Sequence, residues 1–138
     1  MAALLALSTP ALSGCEWLLG EEQVGPTTVW AVMQGVPGSH GMWDAEVRPG
    51  QLCYKLSFSP YTTNTWGELH DPQGTVLARF QYSDNRICVG VHQTVSNGLA
   101  ANPHAFTVDL HVPDIPYGFI AGRVVRAGEQ PLPATFRH

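Results

Sequence analysis

Two short segments of the sequence hold the residues whose types and spacing could do chemistry. The segment WGELH contains Glu68 and His70, and the segment TVDLHV contains Asp109 and His111. Residues i and i+2 of a β-strand share one face, so each segment presents its polar pair to the same side. If the two strands are neighbours, the four groups converge, with Asp109 as a fourth oxygen donor or as the group that orients an imidazole.

These donors allow two interpretations. Two imidazoles and a carboxylate suit Zn(II) better than soft Cu(I), which prefers Cys or Met. In the second interpretation His70 and His111 form hydrogen bonds to each other's strands or to nearby carbonyls and make a satisfied polar seam. Of the two we favour the polar seam, and binding of Zn or Cu by Glu68, His70, Asp109 and His111 is the alternative. The sequence predicts that His40, His92 and His104 face solvent.

Catalytic motifs are missing from the sequence. It contains no Gly-x-Ser-x-Gly elbow, phosphate-binding loop or His-Glu-x-x-His motif. Glu68 and Asp71 could be taken for a glycosidase pair, but HDPQG has the Asp-Pro order of a β-turn. We therefore predict that the protein is not an enzyme.

The elements that must position these residues are strands. The chain has 138 residues, of which 44% are apolar, together with 14 glycines and 11 prolines, which is typical of one β-rich domain with many turns. Period-two patterns predict seven strands, and VGVHQTVSNGLAANP predicts one helical insert. We therefore expect an all-β, antiparallel β-sandwich of the Ig-like or Greek-key type. The predicted strands cover residues 27–33, 43–48, 51–58, 62–70, 75–82, 105–112 and 118–125.

Charge and hydropathy exclude two classes of protein. The formal net charge is -4 and the seven basic residues are scattered, so the sequence has no basic face for nucleic acid. No apolar run approaches the roughly 18 residues that would predict a transmembrane helix.

The N-terminus, MAALLALSTPALSGC, resembles a bacterial lipoprotein signal, with an apolar segment followed by Leu12-Ser13-Gly14-Cys15. The resemblance implies a signal peptide over residues 1–14, lipidation of Cys15, a tether over residues 15–26 and an extracytoplasmic, membrane-anchored location. No Lys or Arg precedes the apolar segment, so the alternative is a chance LSGC with Cys15 as a core or free thiol.

That location also predicts the oxidation state of the two remaining cysteines. In an oxidising compartment Cys53 and Cys88 should form a disulfide, which would stabilise the domain by roughly 3 to 4 kcal/mol. In a cytosolic protein they would instead be two buried thiols.

Residues 27–125 resemble the CHRD domain, the chordin-type module of animal chordins and of many bacterial secreted proteins. The segment NPHAFTVDLHVPDIPYGFIAGRVV is similar to the closing block of that family, and three upstream segments fall in the family's order. They are RPGQLCYKLSF, WGELHDPQGTVL and CVGVHQTVSNGLAANP. The resemblance implies a β-sandwich and leaves the molecular activity open.

The chain departs from the family pattern at three positions near the polar segments. Glu68 stands where the family often has the first His of a His-x-His pair, Asp109 replaces an Asn, and Ala121 replaces the usual Arg.

The sequence as a whole favours a lipid-anchored, non-catalytic binding or structural module with an unknown extracytoplasmic protein or surface polymer as its partner. Residues 126–138 are predicted to be a loosely ordered tail. Aromatic candidates for contact with the partner are Trp17, Trp30, Trp43 and Trp66.

Overall fold

A computed structural model describes residues 27–59, 64–112 and 115–134 of the chain. The predicted signal peptide, the lipidation candidate Cys15, the tether and Trp17 lie outside the described residues. In the described part of the chain no helix is long and apolar enough to cross a membrane.

The described elements are nine strands, one α-helix and one 3-10 turn. Their bounds are β1 (Thr27–Gly35), β2 (His40–Arg48), β3 (Gln51–Ser59), β4 (Trp66–His70), β5 (Val76–Phe80), β6 (Ser83–Gly90), α1 (Gln93–Ala101), the 3-10 turn (Pro103–Ala105), β7 (Thr107–Val112), β8 (Ile115–Arg123) and β9 (Val125–Arg126).

The strands pair antiparallel in one sheet with the order β5-β4-β7-β8-β1-β2-β3-β6, and β9 pairs with β1. The predicted all-β, antiparallel class is confirmed. The predicted sandwich is not clearly formed, because the sheet curls into a half-barrel instead of dividing into two layers. The sheet has two halves, β5-β4-β7-β8 and β1-β2-β3-β6. They are joined where Ile120 and Ala121 of β8 pair with Gly35 and Gln34 of β1.

The core fills the inside of this curl. Tyr54 lies against the ring of Phe80 at a centroid distance of 4.6 Å, and Trp43 lies 5.3 Å from the same ring. The alternation predicted for β3 is confirmed, since its inward residues are buried while Lys55 and Ser57 are exposed. These inward residues are Leu52, Tyr54, Leu56 and Phe58.

The predicted helical insert is confirmed as α1, which lies within it. His92 caps its first turn by accepting a hydrogen bond from the Thr94 amide, and Val95 and Leu99 face the core. The helix ends at Ala101, directly before Asn102 and Pro103, because proline restricts the residue that precedes it.

Strand β6 was not predicted, because its first residues, Ser83, Asp84 and Asn85, have the composition of a turn. Pairing with β3 overrides that local preference, and Cys53 lies opposite Cys88 in the register. The disulfide predicted between these cysteines is present. Cys53 is buried while Cys88, on the edge strand, is exposed.

The first residues of the predicted tail also pair with the sheet. Arg126 belongs to β9, and Leu132 forms an isolated bridge with Arg123. Residues 135–138 lie outside the described residues.

Candidate metal centre

Strands β4 and β7 are neighbours, and their register brings the chemistry-bearing residues together. Glu68 lies directly opposite Asp109, Trp66 lies opposite His111, and His70 lies opposite Thr107. The intervening residues, Leu69 on β4 and Leu110 on β7, are fully buried in the core. Because side chains alternate along a strand, the polar residues occupy the opposite face of the same two strands.

These polar side chains are buried as well. Glu68 is 4% exposed, His70 8%, Asp109 1% and His111 7%. We call these four residues the buried quartet. A buried ionisable group is costly unless it is paired and hydrogen-bonded, so the contacts within the quartet determine whether the arrangement is stable.

The contacts join each imidazole to both carboxylates. Nε2 of His70 lies 3.0 Å from Oδ1 of Asp109 and 3.3 Å from Oε1 of Glu68. Nε2 of His111 lies 2.9 Å from the same Asp109 oxygen and 3.1 Å from the same Glu68 oxygen. The two nitrogens and two oxygens thus alternate around a small ring, and all four lie within 4.8 Å of one another.

A backbone carbonyl sets the tautomer of His70. Its Nδ1 lies 3.0 Å from the Gly74 carbonyl oxygen, which can only accept, so Nδ1 carries a hydrogen and donates it. Nε2 is therefore left to face the carboxylates, either as N–H in the imidazolium or as a lone pair available to a metal. A backbone carbonyl on the second ring nitrogen is the usual support of a metal-ligating histidine.

The turn predicted at HDPQG supplies that carbonyl. Gly74 donates its amide to the Asp71 carbonyl and has a φ of +86°, a conformation that favours glycine. The Asp71 side chain accepts hydrogen bonds from the amides of Gln73 and Thr75. Asp71 therefore has the structural role that the turn predicts, and it holds the carbonyl that orients His70.

The environment shifts the pKa of two members of the quartet. Burial lowers the pKa of His70, but the hydrogen bonds to Asp109 and to the Gly74 carbonyl and the charges of both carboxylates outweigh burial and raise it above 6.5. Burial raises the pKa of Asp109, but the hydrogen bonds and charges of His111 and His70 outweigh it and hold the pKa below 3.8. The site therefore favours a carboxylate and a cation side by side.

The second oxygen of Glu68 faces away from the imidazoles. Its Oε2 accepts a hydrogen bond of 2.9 Å from Nε1 of Trp66 and lies 3.2 Å from Nε of Arg79 on β5. The Trp66 ring also stacks on His111, with centroids 5.7 Å apart and planes inclined by 16°. Sequence reasoning gave Trp66 and Arg79 no role at this site, although the period-two spacing of Trp66, Glu68 and His70 was a signal for Trp66.

The donor spacing fits a single transition-metal ion. Four ligand atoms about 2.0 to 2.1 Å from a metal lie about 3.3 Å apart in a tetrahedron and about 2.9 Å apart along the edges of a square. The four nitrogen–oxygen distances of the buried quartet, 2.9 to 3.3 Å, fall in this range. Two neutral imidazoles and two carboxylates would also balance the charge of a divalent cation.

The other candidate residues lie elsewhere. Trp43 is fully buried in the core, so it is not a contact residue for a partner. Trp30 is half-buried on β1. The histidines predicted to face solvent do so: His40 and His92 are exposed, and His104 is exposed and paired with Glu129 at 2.9 Å.

Comparison of the chain with protein-family models, with curated proteins and with solved structures finds no match. Arguments about its function therefore depend on the geometry of the site.

Proposed function

We propose that this protein is a non-catalytic module that binds one Zn²⁺ or Cu²⁺ ion in the buried quartet. The observation that carries the proposal is the convergence of two imidazole nitrogens and two carboxylate oxygens, all from buried residues, within 4.8 Å. A polar seam without a metal would need only one carboxylate for each imidazole. In the buried quartet each imidazole contacts two. The proposal thus revises the preference for a seam without a metal.

Four protein ligands suggest a structural or sequestering ion instead of a catalytic one. Catalytic zinc sites keep a coordination position open for water or substrate, whereas structural sites use four protein ligands. The low exposure of all four side chains favours the second kind. A bound ion would cross-link β4 to β7 in addition to their backbone hydrogen bonds.

The test is a metal titration of protein treated with a chelator. We expect one Zn²⁺ or Cu²⁺ per chain in isothermal titration calorimetry, and about 2.7 kcal/mol of added stability at a free metal concentration 100 times the dissociation constant. His111→Asn should abolish stoichiometric binding. His104→Asn is the matched control, because His104 also contacts one carboxylate but is exposed, and it should bind metal as the wild type does. Equal binding by both variants, or none by the wild type, would contradict the proposal.

We also propose an extracytoplasmic location, supported by the disulfide between Cys53 and Cys88. A disulfide with one exposed cysteine persists in an oxidising compartment and is reduced in the cytosol. Lipidation of Cys15 and anchoring to a membrane extend this proposal. The intact mass of the membrane fraction tests it: we expect a chain that begins at Cys15 with added acyl mass, and loss of that mass in Cys15→Ser. An unmodified full-length chain in the soluble fraction would contradict it.

Membership of the CHRD family is likewise a proposal. Its support is the order of the sequence blocks, which fall on β3, β4, α1 and the β7–β8 pair. An extracytoplasmic protein or surface polymer as the partner is part of the same proposal.

A further inference from the structure

Trp66 contacts two members of the buried quartet in two different ways. Its indole N–H donates to Oε2 of Glu68, and its ring lies nearly parallel to the ring of His111. Trp66 is itself neither a carboxylate nor an imidazole, so it cannot ligate the ion. It is placed where one side chain can fix the donor atoms of two others.

The contact with Glu68 determines which oxygen is free. A glutamate can ligate a metal through one oxygen or through both. Trp66 and Arg79 both contact Oε2, while Oε1 faces the two imidazole nitrogens. With Oε2 held by hydrogen-bond donors, only Oε1 is available, and Glu68 offers the ion one ligand atom instead of two.

We propose that Trp66 is a positioning residue that restricts Glu68 to one ligating oxygen and so makes the site selective for four-coordinate Zn²⁺ or Cu²⁺ over Ca²⁺ and Mn²⁺. The inference depends on the proposed metal binding and adds the residue that sets its selectivity. Ca²⁺ takes six to eight oxygen ligands, often from bidentate carboxylates, so release of Oε2 would favour such ions. Arg79 assists, but its side chain is 70% exposed, and an ion pair at such a position contributes little.

The test substitutes Co²⁺ for the native ion and compares Trp66→Phe with the wild type. Phenylalanine retains a smaller aromatic ring and removes the indole N–H donor. Four-coordinate Co²⁺ absorbs strongly in the visible range, and that absorption weakens when a fifth ligand atom binds. We expect strong absorption in the wild type, weaker absorption in Trp66→Phe, and a 10- to 100-fold loss of Zn²⁺ affinity, as is usual when a supporting hydrogen bond is removed.

Trp30→Phe is the matched control. The Trp30 indole nitrogen is buried and has no hydrogen-bond acceptor within the described ranges, so its removal costs no hydrogen bond. This variant should keep the wild-type Co²⁺ spectrum and Zn²⁺ affinity. Ca²⁺ and Mn²⁺ competition should displace Zn²⁺ more readily from Trp66→Phe than from Trp30→Phe.

The outcomes separate the two proposals. If the wild type binds no metal, the proposed function is wrong. If the wild type binds metal but Trp66→Phe and Trp30→Phe give the same spectrum and affinity, or the wild type already has the weak spectrum of a five-coordinate ion, the role of Trp66 is wrong. Should Trp66→Phe fail to fold, Trp66→Tyr, which also removes the indole N–H, carries the test: its Co²⁺ spectrum should weaken in the same direction, and an unchanged spectrum would overturn the inference.

Discussion

Two polar clusters lie in the two halves of the sheet, and their charges are balanced in different ways. The first, which we call the ion-pair cluster, contains Asp44, Glu46, Arg48 and Arg86. Arg86 contacts Asp44 at 2.6 Å, and Arg48 contacts Glu46 at 2.9 Å. Each carboxylate has its own guanidinium, and every side chain is between 28% and 49% exposed. The second cluster is the buried quartet.

The two clusters differ in whether their own side chains balance their charge. The ion-pair cluster has two carboxylates and two guanidiniums, so its charges balance without a bound ion. The buried quartet has two carboxylates and two imidazoles, and among the described residues the one guanidinium in contact with it is that of the exposed Arg79. Its charge is balanced only by protons on the imidazoles or by a cation. A cluster whose own charges balance is consistent with a structural role. The stability of a cluster that needs bound protons or a cation depends on the pH or on the concentration of that cation.

The largest expected difference between the clusters is in the cost of losing an aspartate. Asp109→Ala removes one of the two carboxylates that His70 and His111 share in a buried site, and removal of one partner of a buried pair costs about 3 to 5 kcal/mol. Asp44→Ala removes a partly exposed ion pair, which should cost about 1 kcal/mol or less. Urea unfolding of both variants in the presence of a chelator measures the difference. Equal costs would show that burial does not separate the two clusters.

The disulfide should give the next largest effect, and it tests whether the two halves are independent. Replacing Cys53 and Cys88 by alanine removes the cross-link between β3 and β6, at a cost of roughly 3 to 4 kcal/mol for this loop length. No quartet residue belongs to β3 or β6, so Zn²⁺ affinity of the folded variant should stay within about threefold of the wild type. Calorimetry below the unfolding temperature checks this. A loss of affinity comparable to that of His111→Asn would show that the halves are coupled.

The smallest effect should be the pH dependence of the metal-free protein. Since the pKa of His70 is raised in the folded state, the stability contributed by its protonation is present below pH 6.5 and is lost as the pH rises through the raised value. The lowered pKa of Asp109 contributes stability that is present above pH 3.8 and is lost as the pH falls through the lowered value.

Chelator-treated protein should therefore unfold at lower urea concentration at about pH 8 than at about pH 6, because of His70. Zn²⁺-loaded protein should show the opposite trend, because protons compete with the metal for the imidazoles. Urea midpoints at both pH values, with chelator and with Zn²⁺, give the comparison. Parallel trends in the two preparations would contradict the assignment of the quartet as the binding site.

Local patterns predicted most of the elements but not the order in which the strands pair. The alternation in β3 and in β7 follows from period two, and the end of α1 follows from Asn102-Pro103. Strand β6 was missed because its stability comes from pairing with β3, which its own polar residues do not reveal. For the same reason the curled single sheet, which depends on contacts between β8 and β1, was not distinguished from a sandwich.

The sequence predicted which residues form the candidate site but not their burial or their hydrogen-bond partners. Glu68, His70, Asp109 and His111 could be placed on shared faces from spacing alone, whereas the adjacency of β4 and β7 was only a condition of the argument. Their burial could not be predicted, because the pattern marks that face as polar. The hydrogen bond that Trp66 donates and the one that the Gly74 carbonyl accepts require side-chain geometry that the sequence does not contain.

The alternation of site and core along β4 and β7 has a consequence for folding. Glu68, Leu69 and His70 on one strand, and Asp109, Leu110 and His111 on the other, place ligand and core residues in turn. A slip of one residue in either strand would move its carboxylate and imidazole into the core and its leucine to the face that holds the ligands. Such a misfolded state would have no intact set of ligands, so a metal ion would stabilise only the correct register. Metal binding would thus favour the correct register of β4 and β7 over the slipped registers.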